Sequence, residues 1–192
     1  MILVINIRSV MELAYNFVQV VQDAILRPDF TSVLSIFFLS TVNELTAVLP
    51  YTVILSSQLL FIQDPFSIAM FTKLLLFIAI PMGIGAAIGS SLIYGLAYFG
   101  GKPGIEKFGK YFQLSWEDIK KMESKFKGSW YDEILFLALR LVPLLPSFPV
   151  SAVAGILRMS PVSYFILTII GFTLRMMIMF TFVGLGMGTL AQ

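Results

Sequence analysis

The sequence predicts an all-α polytopic membrane protein built from inverted repeats, and three observations carry this prediction. The 192 residues are 58% hydrophobic and only 12% charged, which is about half the charged share of a soluble domain. Two apolar stretches that are interrupted by charge and proline are each followed by one longer apolar span. The two units also match each other at one constant offset. The length fits a single membrane domain over residues 1–192.

Residues 1–28 have the pattern of an amphipathic helix that lies in the membrane interface. Apolar residues recur at three- and four-residue spacing from Val10 to Ile25, and charged residues lie off that stripe. Only ten uncharged residues separate Glu12 from Asp23, whereas a membrane span needs about 20 apolar residues. The alternative is a weakly apolar first transmembrane helix.

Residues 30–100 form the first predicted repeat. Residues 30–63 are apolar except for Glu44, and this stretch is too long for one span and short for two. Asp64 and Pro65 then resemble an N-cap and a first helical position. The span that follows runs to about Phe99.

Residues 102–133 are predicted to be a cytoplasmic amphipathic segment. They contain seven of the 13 basic residues of the chain, and clustered Lys and Arg mark the cytoplasmic side of membrane proteins. Within this segment "SWEDIKKMESKFKG" predicts a surface helix that begins after Ser115 and ends at Gly128.

Residues 134–190 form the second predicted repeat. Its broken segment, 134–159, contains Arg140 and the prolines 143, 146 and 149, and its span carries Arg175. Prolines three apart remove amide donors and clash with the preceding turn of an α-helix, and bare backbone is not tolerated against lipid. We therefore expect "PLLPSFP" to be the tip of a re-entrant hairpin, and "LPYT" around Pro50 to be its counterpart. A proline-kinked ordinary helix is the alternative around Pro50.

One offset of 96 residues relates the two repeats. It maps Glu44, Pro50, Asp64, Pro65 and Ser67 onto Arg140, Pro146, Ser160, Pro161 and Ser163. A broken segment followed by one span crosses the membrane an odd number of times, so the second copy is predicted to be inverted, as in many transporters. The parity argument fails if one broken segment is a single kinked span.

Three charges lie at membrane depth, namely Glu44, Arg140 and Arg175. A charge at the bilayer centre costs about 2.5–3.5 kcal/mol on insertion scales, so such residues face a partner or a cavity. We expect Glu44 and Arg140 to line one polar cavity between the hairpins, where they could form an ion pair, with Arg175 completing a net-positive group. Such a site suits an anionic headgroup. The alternative is a buried salt bridge that only ties the hairpins together.

The composition also bounds the chemistry. The chain has no cysteine and no histidine, which excludes Ser-His-Asp and Cys-His catalysis and Cys/His zinc ligation. We expect no enzyme activity, no cofactor, no metal and no nucleic-acid partner.

From about residue 30 to 190 the chain resembles the DedA family, within the VTT-domain superfamily, and the resemblance is strongest in the second half. In "FLALRLVPLLPSFPVSAVAGILRMSPVSYF", Arg140 and Pro143 fall on the family's arginine and proline, and Ala154-Gly155 on its A-G pair. "IGSSLIYGLAYFGGKPG" is similar to a second family segment through its Gly89, Tyr94 and Gly104. Two positions depart from the family pattern: Pro146 stands where a second arginine is expected, and Thr52 where a second acid is expected.

The resemblance implies a re-entrant inverted-repeat fold and the transport of lipid headgroups, such as polyprenyl phosphate or phospholipid, by a flippase or scramblase in the plasma membrane. The residues expected to serve transport or lipid binding are Glu44, Pro50, Thr52, Arg140, Pro143, Pro146 and Arg175. One acid and one arginine of the pattern that the family uses for proton-dependent transport are missing here. A proton- or ion-coupled small-molecule exporter and a structural membrane protein remain as alternatives, and the G-x-x-x-G faces permit a homodimer.

Overall fold

The computed structural model of the chain describes residues 29–46, 67–108, 115–126, 131–142, 145 and 147–190, together with Glu12, Tyr15 and Gln19. The regular structure within these ranges is entirely helical, as predicted. Its elements in chain order are α1 (Phe30–Thr46), α2 (Ile68–Lys73), a π-helical segment (Leu74–Ala79), α3 (Ile80–Phe108), α4 (Trp116–Glu123), α5 (Tyr131–Leu141), α6 (Ser147–Ile156) and α7 (Pro161–Leu190). The predicted N-terminal helix 1–28 lies almost wholly outside the described residues.

Two helices are long and apolar enough to cross a membrane, Ile68–Lys107 and Pro161–Leu185. The exposed side chains of α7 indicate whether lipid or water surrounds the protein. One face is exposed and apolar at nearly every helical turn: Val162, Ile166, Ile170, Leu174, Ile178, Phe182 and Leu185. The buried side chains, in contrast, include the charged residues Glu44, Arg140 and Arg175. Apolar groups outside and charges inside fit a surround of lipid rather than water.

Helix α3 is the central element, and it packs against α1, α6 and α7. Glycines make the closest of these approaches. A Cβ placed on Gly89 would lie 2.5 Å from the carbonyl oxygen of Thr41 and 2.8 Å from Cβ of Glu44. Gly85 and Gly89, which form the G-x-x-x-G motif of the first repeat, therefore join α1 to α3 within the chain. This motif is not on the exposed face that we had expected to permit a homodimer.

The π-helical segment ends just before Pro81, and the proline explains it. A proline ring clashes with the carbonyl group four residues earlier and provides no amide donor, so the helix widens to pass it and its hydrogen bonds reach back five residues instead of four. Ile80 accordingly donates to the carbonyl oxygen of Leu75, five residues back. Side chains from neighbouring helices bind carbonyls in this region, since Ser40 donates to Met82 at 2.8 Å and Thr173 to Ala79 at 3.3 Å.

A second break in α3 brings α4 back onto the helical core. Gly101 has φ +52° and ψ −144°, a conformation that favours glycine. Pro103 follows in the first turn after this break, where a helix tolerates proline. The short helix α4 then buries Ile119 completely, in a cluster with Ile93 and Phe148. The amphipathic prediction is confirmed, but its end was wrong, because α4 stops at Glu123 and not at Gly128.

The second half begins with two short helices. Helix α5 ends at Leu141 and α6 begins at Ser147, and the two described residues between them, Val142 and Leu145, are not helical. Residues 147–149, which were predicted to lie in the non-helical tip, are part of α6. Pro149 lies in the first turn of α6, where the amide that it lacks has no intrahelical acceptor to bind.

The junction of α6 and α7 follows two capping rules. The amides of Arg158 and Met159 donate to the carbonyls of Gly155 and Ala154 at 3.0 Å each, and Arg158 has φ +52°. This is a Schellman motif, with arginine at the position that usually holds glycine. Ser160, which the 96-residue offset aligns with the predicted N-cap Asp64, then caps α7 by accepting from the amide of Ser163 at 3.0 Å. In the first half Ser67 caps α2, through the amide of Met70, while Asp64 and Pro65 lie outside the described residues.

Candidate functional site

The candidate site is centred on Arg140, the last but one residue of α5. Its side chain is 2% exposed. Nη2 donates to Ser151 Oγ at 2.7 Å and to Tyr164 Oη at 3.1 Å, and it lies 3.5 Å from Ser90 Oγ. Three helices thus place hydroxyl groups around one guanidinium nitrogen: α3 through Ser90, α6 through Ser151 and α7 through Tyr164. We call Ser90, Ser151 and Tyr164 the hydroxyl cage.

The members of the hydroxyl cage also bind one another. Tyr164 Oη lies 2.8 Å from Ser90 Oγ and 3.1 Å from Ser151 Oγ, so it can accept from Arg140 while donating to one of the two serines. The guanidinium carbon lies 5.3 Å from the centre of the Phe136 ring and 5.8 Å from that of Tyr164. The cation is therefore held by neutral groups, both hydroxyls and aromatic faces.

The cage uses only part of the hydrogen-bonding capacity of Arg140. Within the part of the chain that the structure describes, Nε and Nη1 have no hydrogen-bond acceptor, although both are buried. Buried polar atoms are normally paired, and unpaired ones call for a specific explanation. A guanidinium carries five N–H donors and no acceptor, so the group that would complete its pairing is an anion or another hydrogen-bond acceptor.

Helix α6 links Arg140 to Glu44, which is 4% exposed. Ser147 Oγ donates to Glu44 Oε1 at 3.1 Å, and the carbonyl oxygen of Ser147 accepts from Ser151 Oγ at 3.0 Å. Ser151 in turn accepts from Arg140. Two serines one turn apart on α6 thus connect the acid of the first half to the arginine of the second.

Two close approaches fix this arrangement. A Cβ placed on Gly171 of α7 would lie 2.7 Å from Cβ of Arg140, so only glycine lets the arginine stem lie against α7. The ring of Tyr94 stacks on that of Tyr164, with 4.1 Å between centroids, and the Tyr94 hydroxyl donates to the carbonyl oxygen of Met159 at 2.5 Å. These contacts hold Tyr164 in place beneath the guanidinium.

The structure places the other predicted site residues less completely. Arg175 is buried on α7, one helical turn beyond Gly171 and about 6 Å further along the axis. Pro50, Thr52, Pro143 and Pro146 lie outside the described residues. Within the described ranges, the acids, histidines and cysteines form no group that could hold a metal ion.

The hydroxyl cage was missed by the sequence analysis. Serine and tyrosine are common in apolar helices, and nothing in their spacing distinguishes residues 90, 151 and 164 from others. One local signal was available, because Ser147 and Ser151 stand four apart in a short helix rich in small residues and therefore share a face.

The comparisons with known proteins agree with the resemblance. The VTT domain model matches residues 61–185, well over half of the chain. The undecaprenyl phosphate transporter A of Bacillus subtilis (strain 168) is 28% identical over 106 residues, which cover 55% of this chain and 52% of the relative. The match thus spans about half the length of that relative. No solved structure gives a significant match. From the extent of the domain match, the chain belongs to the VTT-domain family, the DedA-type membrane proteins that its motifs resemble.

Proposed function

We propose that this protein is a lipid transporter that carries a phosphate-bearing headgroup, of a polyprenyl phosphate or a phospholipid, through the polar site around Arg140. The observation that carries the proposal is the buried guanidinium with two nitrogens that have no acceptor in the described residues. A transporter-named relative supports the substrate class. The name of that relative also favours a transporter over an enzyme.

The energetics of Arg140 support an anionic ligand. A buried charge is tolerated only when hydrogen bonds and an opposite charge compensate for lost hydration. The hydroxyl cage compensates at Nη2, and phosphate oxygens match the remaining N–H groups of a guanidinium in charge and geometry. A headgroup that binds here would gain from a donor set that is already in place before it arrives.

The lengths of α5 and α6 support a route in which each of these two helices reaches only partway into the bilayer. Helix α5 has 11 residues and α6 has 10, so each extends about 15–17 Å, against a hydrocarbon core of about 30 Å. We infer that α5 and α6 are the two arms of a re-entrant hairpin, with its tip at residues 142–146.

An inverted counterpart in the first half is part of the proposal. In each half a charged residue near the C-terminus of a helix packs its Cβ against a glycine of a following long helix: Glu44 against Gly89, and Arg140 against Gly171. Pro50 and Thr52 would form the first tip, and Pro143 and Pro146 the second. Arg175 would extend the positive site along α7 toward its C-terminal end.

The proposed orientation follows from charge, because the lysine-rich segment 102–127 would face the cytoplasm on the positive-inside rule. The proposed location, the plasma membrane, follows from the family resemblance. Exposed lysines on this segment include Lys102, Lys120 and Lys121, which would concentrate anionic lipid nearby.

A reconstituted-vesicle assay tests the proposal. Fluorescent undecaprenyl phosphate or phospholipid is followed across the bilayer in vesicles with wild type, with Arg140→Lys and with Arg158→Lys. Arg140→Lys keeps the charge but loses the planar fork, so we expect transport to fall about tenfold, the loss of one charge-assisted hydrogen bond. Arg158 is exposed, and its lysine variant is the matched control, expected to match wild type. Equal rates for protein-containing and empty vesicles would refute lipid transport.

A further inference from the structure

We propose that Thr168 is a further headgroup-contacting residue, which donates its hydroxyl to the same phosphate as Arg140; this inference rests on the proposed function. Thr168 lies on α7 and is completely buried. Within the described part of the chain its Oγ1 makes no hydrogen bond.

Other threonines in these helices show that this is unusual. Thr41, Thr72 and Thr181 each donate to the carbonyl four residues earlier, at 2.8–2.9 Å. Thr173, on the same helix as Thr168, donates across to Ala79 at 3.3 Å. These four threonines range from exposed Thr72 to buried Thr173, and each finds a carbonyl acceptor. Thr168 is more deeply buried than any of them, and a buried hydroxyl without a partner calls for a specific explanation.

The position of Thr168 relative to Arg140 supplies that explanation. The Cβ of Arg140 packs against Gly171 of α7, and its Nη2 donates to the hydroxyl of Tyr164 on the same helix. At about 100° per residue, positions 164, 168 and 171 fall within an arc of about 60°. Thr168 thus lies on the same face of α7 as the two residues that contact Arg140, and between them in the chain.

The three buried atoms of Arg140 and Thr168 that have no partner in the described residues share one chemical property, since all three can donate a hydrogen bond. Nε and Nη1 of Arg140 are donors without acceptors, and Thr168 Oγ1 is a hydroxyl that can donate. A ligand that only accepts hydrogen bonds satisfies all three atoms, and a phosphate ester presents several such oxygens. A cationic or donor-rich ligand would leave them unsatisfied.

A substitution at Thr168 separates a ligand role from a structural one. Valine has nearly the same shape as threonine and carries no hydroxyl. If the hydroxyl serves only the fold, its removal lowers the melting temperature. If the hydroxyl has no partner until a ligand binds, its removal leaves the melting temperature of the empty protein unchanged or raises it, and weakens ligand binding.

The experiment compares full-length wild type, Thr168→Val, Thr168→Ser and Thr173→Val in neutral detergent. Dodecyl phosphate is the probe, and its affinity is read from the concentration dependence of the melting temperature. We expect Thr168→Val to melt no lower than wild type without probe and to bind dodecyl phosphate about tenfold more weakly. Thr168→Ser keeps the hydroxyl and should stay within about twofold of wild type. Thr173→Val should melt lower with unchanged probe affinity.

The outcomes distinguish this inference from the proposed function. Wild-type affinity in Thr168→Val, a lower melting temperature of that variant without probe, or no binding of dodecyl phosphate to wild type would each overturn the role of Thr168. Binding that depends on Thr168, combined with no lipid movement in wild-type vesicles, would support the phosphate site and refute transport.

Discussion

Gly155→Ala should destabilise the protein and disturb the site together, because Gly155 sets the distance between α6 and α3. A Cβ at this position would lie 2.7 Å from Cβ of Ala97 and 2.9 Å from the backbone nitrogen of Tyr98. The carbonyl oxygen of Tyr94 would lie closer still, and since ordinary contact begins near 3.4 Å, the helices would have to separate by roughly 1 Å. The neighbours are backbone atoms and a Cβ, which cannot rotate away.

The magnitude combines two opposing terms. Overpacking of a well-packed interface costs about 1–3 kcal/mol, and alanine in a helix interior recovers about 0.5–1 kcal/mol relative to glycine. The net expectation is a loss of about 1–2 kcal/mol, which lowers the melting temperature by about 2–8 °C in a protein of this size. Ser151 lies one turn before Gly155, so the same displacement lengthens its 2.7 Å bond to Arg140 and slows lipid transport.

Gly95→Ala on α3 is the matched control. Nothing lies within 4 Å of a Cβ at Gly95, so this variant should gain about 0.5–1 kcal/mol from helix propensity alone. Both variants are measured by thermal unfolding in detergent and by transport in vesicles. A Gly155→Ala variant as stable and active as Gly95→Ala would show that α6 and α3 are not in contact at this point, and the described site geometry would fall with it.

Three further outcomes follow from single contacts. Tyr164→Phe removes the hydroxyl that contacts Arg140 and both cage serines, and should cost about 1–3 kcal/mol in thermal unfolding and slow transport; unchanged values would refute the cage. Arg158→Gly relieves the left-handed conformation at φ +52° and should raise the melting temperature by about 1–4 °C, whereas a decrease would contradict the Schellman assignment. Hydrogen bonds from Ser32 hold the pKa of Asp29 below its usual value. The ionised Asp29 therefore stabilises the start of α1 at pH values above the ordinary aspartate pKa of about 3.9. This contribution to stability disappears as the pH falls below that value and the carboxylate takes up a proton. Asp29→Asn should therefore flatten the acid limb of a stability–pH profile, and an unchanged limb would remove Asp29 as its cause.

The sequence was sufficient to predict a feature where the decisive interaction is local, or where an unsuitable environment for a charge would cost a large free energy. Ser160 was recognisable as an N-cap because its bond to Ser163 spans three residues. Glu44, Arg140 and Arg175 stood out because a charge in an apolar run has few acceptable environments, and the structure does bury all three.

Local signals failed where packing decided the outcome. Gly128 looked like the end of α4, yet the helix stops at Glu123. The chain turns there, with the amide of Phe126 donating to Glu123 at 2.9 Å, and this turn carries the Phe126 ring to the buried clusters around Ile119 and Tyr164. Burial of one aromatic ring outweighed a C-terminal glycine signal.

The partners of the buried charges could not have been found by searching for a repeat. Glu44 packs on Gly89, 45 residues later, and Arg140 packs on Gly171, 31 residues later. These separations differ because connecting segments vary in length, while the physical requirement is the same in both halves. A long charged side chain can lie between two closely packed helices only where one of them has no side chain of its own. Glu44 and Arg140 stand 96 residues apart, at the offset that relates the two halves, but their glycines obey contact distance and not sequence distance. The similarity of the two halves at these charges is therefore a similarity of packing.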